Sequence, residues 1–177
     1  MKFVRALLPV VAAVLIASVP LIAQQKPQLS PPGEASVKFD NGKSVTIKYS
    51  RPSMRGRKIY GELVPYGKVW RTGANSATSL ATDTALDIGG TTVPAGNYTL
   101  YTLPGEKSWQ LIVNKQTGQW GTNYDQAQDL ARIPMKVSQL PSGLETFTIS
   151  LDKTGGNSAT LKLDWELTSA SVNITAK

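Results

Sequence analysis

Residues 36–50, SVKFDNGKSVTIKYS, decide the fold, because apolar and polar residues alternate on both sides of Asn41-Gly42. Period-two alternation places every second side chain on one face of a strand. Asn-Gly supplies the positive-φ residues that a tight hairpin turn requires. Two directly paired antiparallel strands are therefore predicted, with Val37 and Phe39 facing Val45, Ile47 and Tyr49.

The pattern recurs downstream. Residues 79–82 and 85–88 predict short strands ahead of a Gly89-Gly90 turn, and residues 93–104, VPAGNYTLYTLP, alternate again. Residues 109–115, WQLIVNK, set Trp109, Leu111 and Val113 on one face and pair back across Pro104-Gly105. Further strands are predicted at 133–137, 145–151 and 159–166, the last two joined by Gly155-Gly156-Asn157. Phe147, Ile149 and Leu151 are in phase on one, and Leu161, Leu163 and Trp165 on the other. Residues 125–132, DQAQDLAR, hold helix formers in an acid-first, base-last order, enough for one short helix of about two turns. Short strands at even spacing predict an all-β fold, an antiparallel β-sandwich with a β-barrel as the alternative. A single domain over 35–177 is expected, with no internal repeat.

The N-terminal residues carry a different signal. Lys2 and Arg5 precede an apolar run from Ala6 to Ala17, the order of a secretory leader. That run is short of the roughly 20 apolar residues a membrane span needs. A leader over 1–23, cleaved near Ala23, and a Pro-rich tether over 24–34 are expected, giving a periplasmic or secreted protein with no transmembrane span in its mature form. The formal charge of +7 then falls to +5 as Lys2 and Arg5 leave, which still favours anionic partners. Nucleic acid is not an expected partner of an exported chain. With no Cys and no His there are no disulfides, no thiolate nucleophile and no imidazole base, and no cofactor or metal is expected.

The candidate site lies at 51–78, RPSMRGRKIYGELVPYGKVWRTGANSAT, where six Arg or Lys residues surround Tyr60, Tyr66 and Trp70 with one acid, Glu62. Loops threaded with aromatics are held against a scaffold, and held charged loops carry function. Arg51, Arg55, Arg57, Lys58, Lys68 and Arg71 can form a cationic rim for carboxylate, sulfate or phosphate, with Tyr60, Tyr66 or Trp70 as stacking floor. The plainer reading gives solvated cations on strand edges and Trp70 as core. Arg71 precedes the polar turn Thr72-Gly73-Ala74-Asn75, in which Asn75 contacts a ligand or caps the turn, and Glu62 is its nearest acid in sequence. Trp120, between Gly118 and Gly121, can stack on a sugar ring or fold back over the core, and shares a cleft with the basic loop if both lie at one end of the sandwich.

The runs SRPSMRGRKIYGELVPYGKVWRTGANSAT, VPAGNYTLYTLPG and WQLIVNKQTGQWGTNYD together resemble the bacterial family labelled domain of unknown function 2911. The resemblance covers roughly residues 30–151 and implies an exported setting; it implies no catalytic residue.

The leading expectation is a non-catalytic binding domain for an anionic or sugar-like small molecule or envelope polymer. One alternative is a hydrolase of an envelope glycan or ester, with Glu62 as acid or base and Arg71 fixing the substrate. The other is a module that docks on an envelope protein or on anionic lipid headgroups. Other chemical signals are thin: Ser150 and Lys153 match a Ser-x-x-Lys spacing on a strand, and Asp83/Asp87 or Asp125/Asp129 fall short of a calcium loop.

Overall fold

A computed structural model describes residues 29–177; the expected leader, and the expected tether up to residue 28, lie outside the described residues. Among the described residues nine strands follow one another: β1 (Pro32–Lys38), β2 (Ser44–Ser50), β3 (Thr78–Thr82), β4 (Leu86–Ile88), β5 (Thr91–Val93), β6 (Gly96–Leu103), β7 (Trp109–Asn114), β8 (Asp129–Gly155) and β9 (Ser158–Ala176). All pairings are antiparallel, in the order β1-β2-β3-β6-β7-β8-β9-β4-β5. The ladder has two edges, β1 and β5, so it is open rather than a closed barrel.

The hairpin forms in the expected register, with Val37 opposite Val45 and Ala35 opposite Ile47. Gly42 takes the left-handed φ of 80° that closes its turn. The first strand begins at Pro32, so the last residues of the Pro-rich stretch belong to the sheet.

Two long strands make the sandwich. The first part of β8 continues the layer of β1, β2, β3, β6 and β7, and the rest pairs with β9. Between Gln139 and Leu144 the partner on β9 moves only from Thr168 to Glu166, so β8 carries extra residues there. Extra residues on one strand bend it and increase its twist. The sheet thereby folds over, and Phe147 of β8 meets Tyr49 of β2 edge to face at 5.7 Å. The Tyr49 hydroxyl completes the join, accepting from Ile149 N at 2.9 Å and donating to Ile149 O at 3.4 Å. Both inward faces merge into one core that includes Val45, Ile47, Leu111, Leu161, Leu163 and Trp165.

The short helix is reduced to a 3-10 turn at Gln126–Gln128, capped by the Asp125 carboxylate accepting from Ala127 N. Residues 129–132 are strand. Pairing with β7, whose Leu111, Ile112 and Val113 are fully buried, outweighs a weak local helix preference. The strands expected separately at 133–137 and 145–151 are parts of β8.

Asp83 ties β2 to the end of β3, accepting from Ser44 N at 2.8 Å and Ser44 Oγ at 3.1 Å. The Ser44 N–H bond holds its carboxyl below the ordinary range. A depressed carboxyl stabilises the fold above its unfolded pKa of about 3.9, and that contribution is lost as pH falls through the folded value. Asp83→Asn keeps an acceptor but cannot titrate. The difference between wild-type and variant urea midpoints is expected to shrink as pH is lowered below about 4.

Candidate functional site

The segment between β2 and β3 closes one end of the sandwich and is pinned at three isolated bridges: Ser53 with Thr146, Trp70 with Thr102 and Ser76 with Trp120. Trp70 donates to Thr102 O at 2.8 Å and accepts from Thr102 N at 3.0 Å, while Gly67 N donates to Pro104 O at 2.8 Å. Backbone bonds at this spacing fix a long segment that has few regular elements of its own.

Aromatic packing explains why the loop lies as it does. Tyr60 is buried at the centre of an edge-on cluster, 4.9 Å from Trp109 and 6.4 Å from both Trp70 and Trp165. Burial, reinforced by Glu166 and Asp164, drives its hydroxyl pKa far above the usual phenol range. Tyr60 is thus core, and the expectation that it stacks on a ligand is corrected. Trp70 is half-buried and lies parallel to Trp165, with centroids 5.8 Å apart and planes at 18°.

The cations do not act as one rim. Arg57 and Arg71 line one cavity of about 220 Å³ together with Trp70, Trp165, Leu63 and Val64. Arg57 is braced by two carbonyls, Nε to Met54 O at 2.9 Å and Nη2 to Ser53 O at 2.8 Å. Arg71 donates from Nε to Gly73 O at 3.2 Å and forms no salt bridge among the described residues. A guanidinium has five N–H donors, so both side chains keep donors for a ligand. Among the described residues no carboxylate lines this cavity.

The remaining candidates are placed elsewhere. Arg51 runs over Gly33 and donates to Thr148 Oγ1 at 3.3 Å, stitching β2 to β8. Arg55 donates to Leu29 O at 2.9 Å in a neighbouring cavity of about 150 Å³ that it shares with Arg57. Lys58 pairs at 3.7 Å with Glu62, and both are exposed. Glu62, the acid nearest to Arg71 in sequence, is not paired with it: Glu62 meets Lys58 in solvent and does not line the cavity. Lys68 is exposed and Tyr66 lies over Gly61, so neither enters the cavity. Asn75 is a turn residue at φ 58°, its carbonyl accepting from Gly121 N at 3.0 Å.

Trp120 does join the basic loop, through its bridge to Ser76, but the residue is 54% exposed and stands outside the cavity. It neither folds back over the core nor forms a cleft wall. Its neighbour Gly121 has the closer role. A Cβ there would sit 2.6 Å from Arg71 Cδ and 2.7 Å from Asn75 O. Gly121→Ala is expected to cost about 1–3 kcal/mol by overpacking and to shift Arg71, read as a lowered melting temperature with weakened anion binding.

Backbone strain gathers around the same cavity. Among the described residues four non-glycine positions have left-handed φ: Arg55 (51°), Thr72 (54°), Asn75 (58°) and Glu166 (55°). Thr72 and Asn75 adjoin cavity residues Arg71, Gly73 and Ala74, Glu166 follows Trp165, and Arg55 lies two before Arg57. Such positions cost on the order of 1–3 kcal/mol each and concentrate at sites that need a fixed geometry. Thr72 is β-branched, for which φ above zero is a genuine outlier. Burial and hydrogen bonds hold it: its hydroxyl donates to Thr102 Oγ1 at 3.2 Å, and its carbonyl accepts from Thr78 Oγ1 at 2.7 Å.

A family model described as protein of unknown function (DUF2911) matches residues 30–174. The chain belongs to that family. No match was found among curated proteins or solved structures. The segment matched to the DUF2911 family contains the whole loop, the cavity and nearly all of the sandwich that holds them.

Sequence reading missed Trp165 as a wall of the site. Its in-phase position on a strand reads as core, and it is core: fully buried, with Nε1 donating to Glu145 O at 3.1 Å. Only the strand pairing that brings β9 under the loop shows that its face also backs the cavity.

Proposed function

We propose that this chain is an exported, non-catalytic binding domain that holds the acidic group of a sugar-like ligand in the Arg57/Arg71 cavity. The observation that carries the reading is that Arg57 and Arg71 line one cavity with Trp70, with no carboxylate among the described residues that line it. Planar forks match carboxylate bidentately, and an indole face suits the apolar face of a sugar ring. Specific ligand pockets usually span roughly 300–1,000 Å³, so a cavity of about 220 Å³ suits one small acidic unit or the terminal unit of an envelope polymer.

Hydrolysis is less well supported. Glu62, the carboxylate a hydrolase would need in this loop, stands in solvent beside Lys58. Asp129 is engaged by Tyr124, Asn114 and Arg132.

Tryptophan emission, to which Trp70 and Trp165 contribute from the cavity wall, reads binding directly. Titration with galacturonate is expected to change it saturably, with weaker affinity at higher ionic strength, while neutral galactose binds far more weakly. Equal responses to the two sugars, or a response that salt does not alter, would contradict the reading. Glu62→Gln is expected to leave galacturonate binding intact.

A further inference from the structure

Arg71 and Trp70 are shared by two cavities. A second compartment of about 160 Å³ lies on their other side, walled by Tyr101, Gly121, Thr122 and Tyr124. Among the described residues no carboxylate lines it either. We infer that the site takes an elongated acidic glycan, two linked units of which straddle Arg71, one in each compartment. This rests on the anion-binding reading above and extends it to the length and class of the ligand.

The two tyrosine walls of the second compartment are held in place before a ligand arrives. Tyr124 meets Tyr101 edge to face at 4.9 Å. Its hydroxyl donates to Asp129 Oδ2 at 2.6 Å and accepts from Arg132 Nη2 at 2.7 Å. Burial, then the bond to Asp129, pushes its pKa up to about 12, so the phenol stays neutral. With the hydroxyl consumed, what Tyr124 offers the compartment is its ring, and Arg132 neutralises Asp129 at 2.9 Å. Rings, one hydroxyl from Thr122 and a shared guanidinium make a surface suited to stacking a pyranose that carries or neighbours an acid.

Geometry favours a linked ligand over two separate ones. Arg71 is anchored by a single bond from Nε, which leaves its terminal nitrogens to serve acceptors on either side. Gly121 permits this placement, because any side chain there would run into Arg71 and displace it. Linking two units makes the second contact intramolecular, so affinity rises without any new type of interaction.

The test uses purified wild-type protein and its Thr122→Trp variant, with galacturonate, digalacturonate and neutral maltose, each titrated by calorimetry. Thr122 is exposed, so the added indole fills the compartment without entering the core. Wild-type protein is expected to bind digalacturonate at least about tenfold more tightly than galacturonate, more than doubled charge alone gives at 0.15 M salt. In Thr122→Trp, digalacturonate is expected to fall to the affinity the wild type shows for the monomer. Equal affinity of wild type for monomer and dimer, or an unchanged dimer affinity in the variant, overturns the two-compartment site while leaving the anion cavity standing. If neither acid binds better than maltose, both readings fail together.

Discussion

Arg71→Ala is expected to weaken galacturonate binding roughly ten- to a hundredfold, the loss of about 1.5–3 kcal/mol that accompanies removal of a charged hydrogen-bonding partner. The melting temperature is expected to change little. Arg71 sits half-buried on a single internal bond to Gly73 O and forms no ion pair among the described residues, so its removal strands no partner charge. Arg71→Lys keeps the charge but loses the planar fork, and should fall between wild type and alanine. Calorimetric titration and thermal melts on the same samples separate the effects. A melting temperature that collapses in Arg71→Ala with affinity unchanged would assign this residue to the scaffold.

Trp165→Ala is expected to show the opposite balance, with a stability loss of about 3–5 kcal/mol. Its indole is nearly inaccessible and packs against Trp70, Tyr60 and Phe147 at 5.8, 6.4 and 5.8 Å. It also bonds to Glu145 O, on the strand that crosses between layers. For a domain of this size, each kcal/mol moves the midpoint by about 2–4 °C, so a fall on the order of 10 °C is expected by calorimetry. Trp165→Phe refills most of the volume and should recover much of it. A shift of only a degree or two in the alanine variant would mean that the aromatic cluster does not hold the loop against the sheet.

The two predictions divide along what the sequence makes legible. A strand with strict alternation, such as 44–50, can be read directly because burying one face leaves a period-two record. The continuity of β8 is not readable, since Pro141, Ser142 and Gly143 look like a turn between strands. They are instead the surplus residues at the bend, where tertiary pairing with β9 overrides local turn chemistry. The loop at 51–78 announces itself by charge and rings, but the sorting of its cations depends on long-range partners. Arg51 finds Thr148, Arg55 finds Leu29 O, and Glu62 finds the adjacent Lys58. Arg57 and Arg71 are left facing one space, and no spacing rule in the sequence distinguishes them from the others.

Strain links the two halves of the account. Thr72 and Asn75 hold left-handed backbone within four residues of Arg71, and Glu166 does so next to Trp165. The sandwich and its aromatic cluster supply the stability that holds these conformations, which keeps the guanidiniums in place before a ligand binds.

The most direct measurement follows the Nε–H resonances of the arginine side chains by NMR while galacturonate is added. The resonances of Arg57 and Arg71 are expected to move together and saturate at one ligand equivalent, while those of Arg51 and Arg55 stay where they are. Equal small drifts across all the arginines, or movement confined to residues outside the cavity, would show that the cations act as a diffuse surface and that no shared anion site exists.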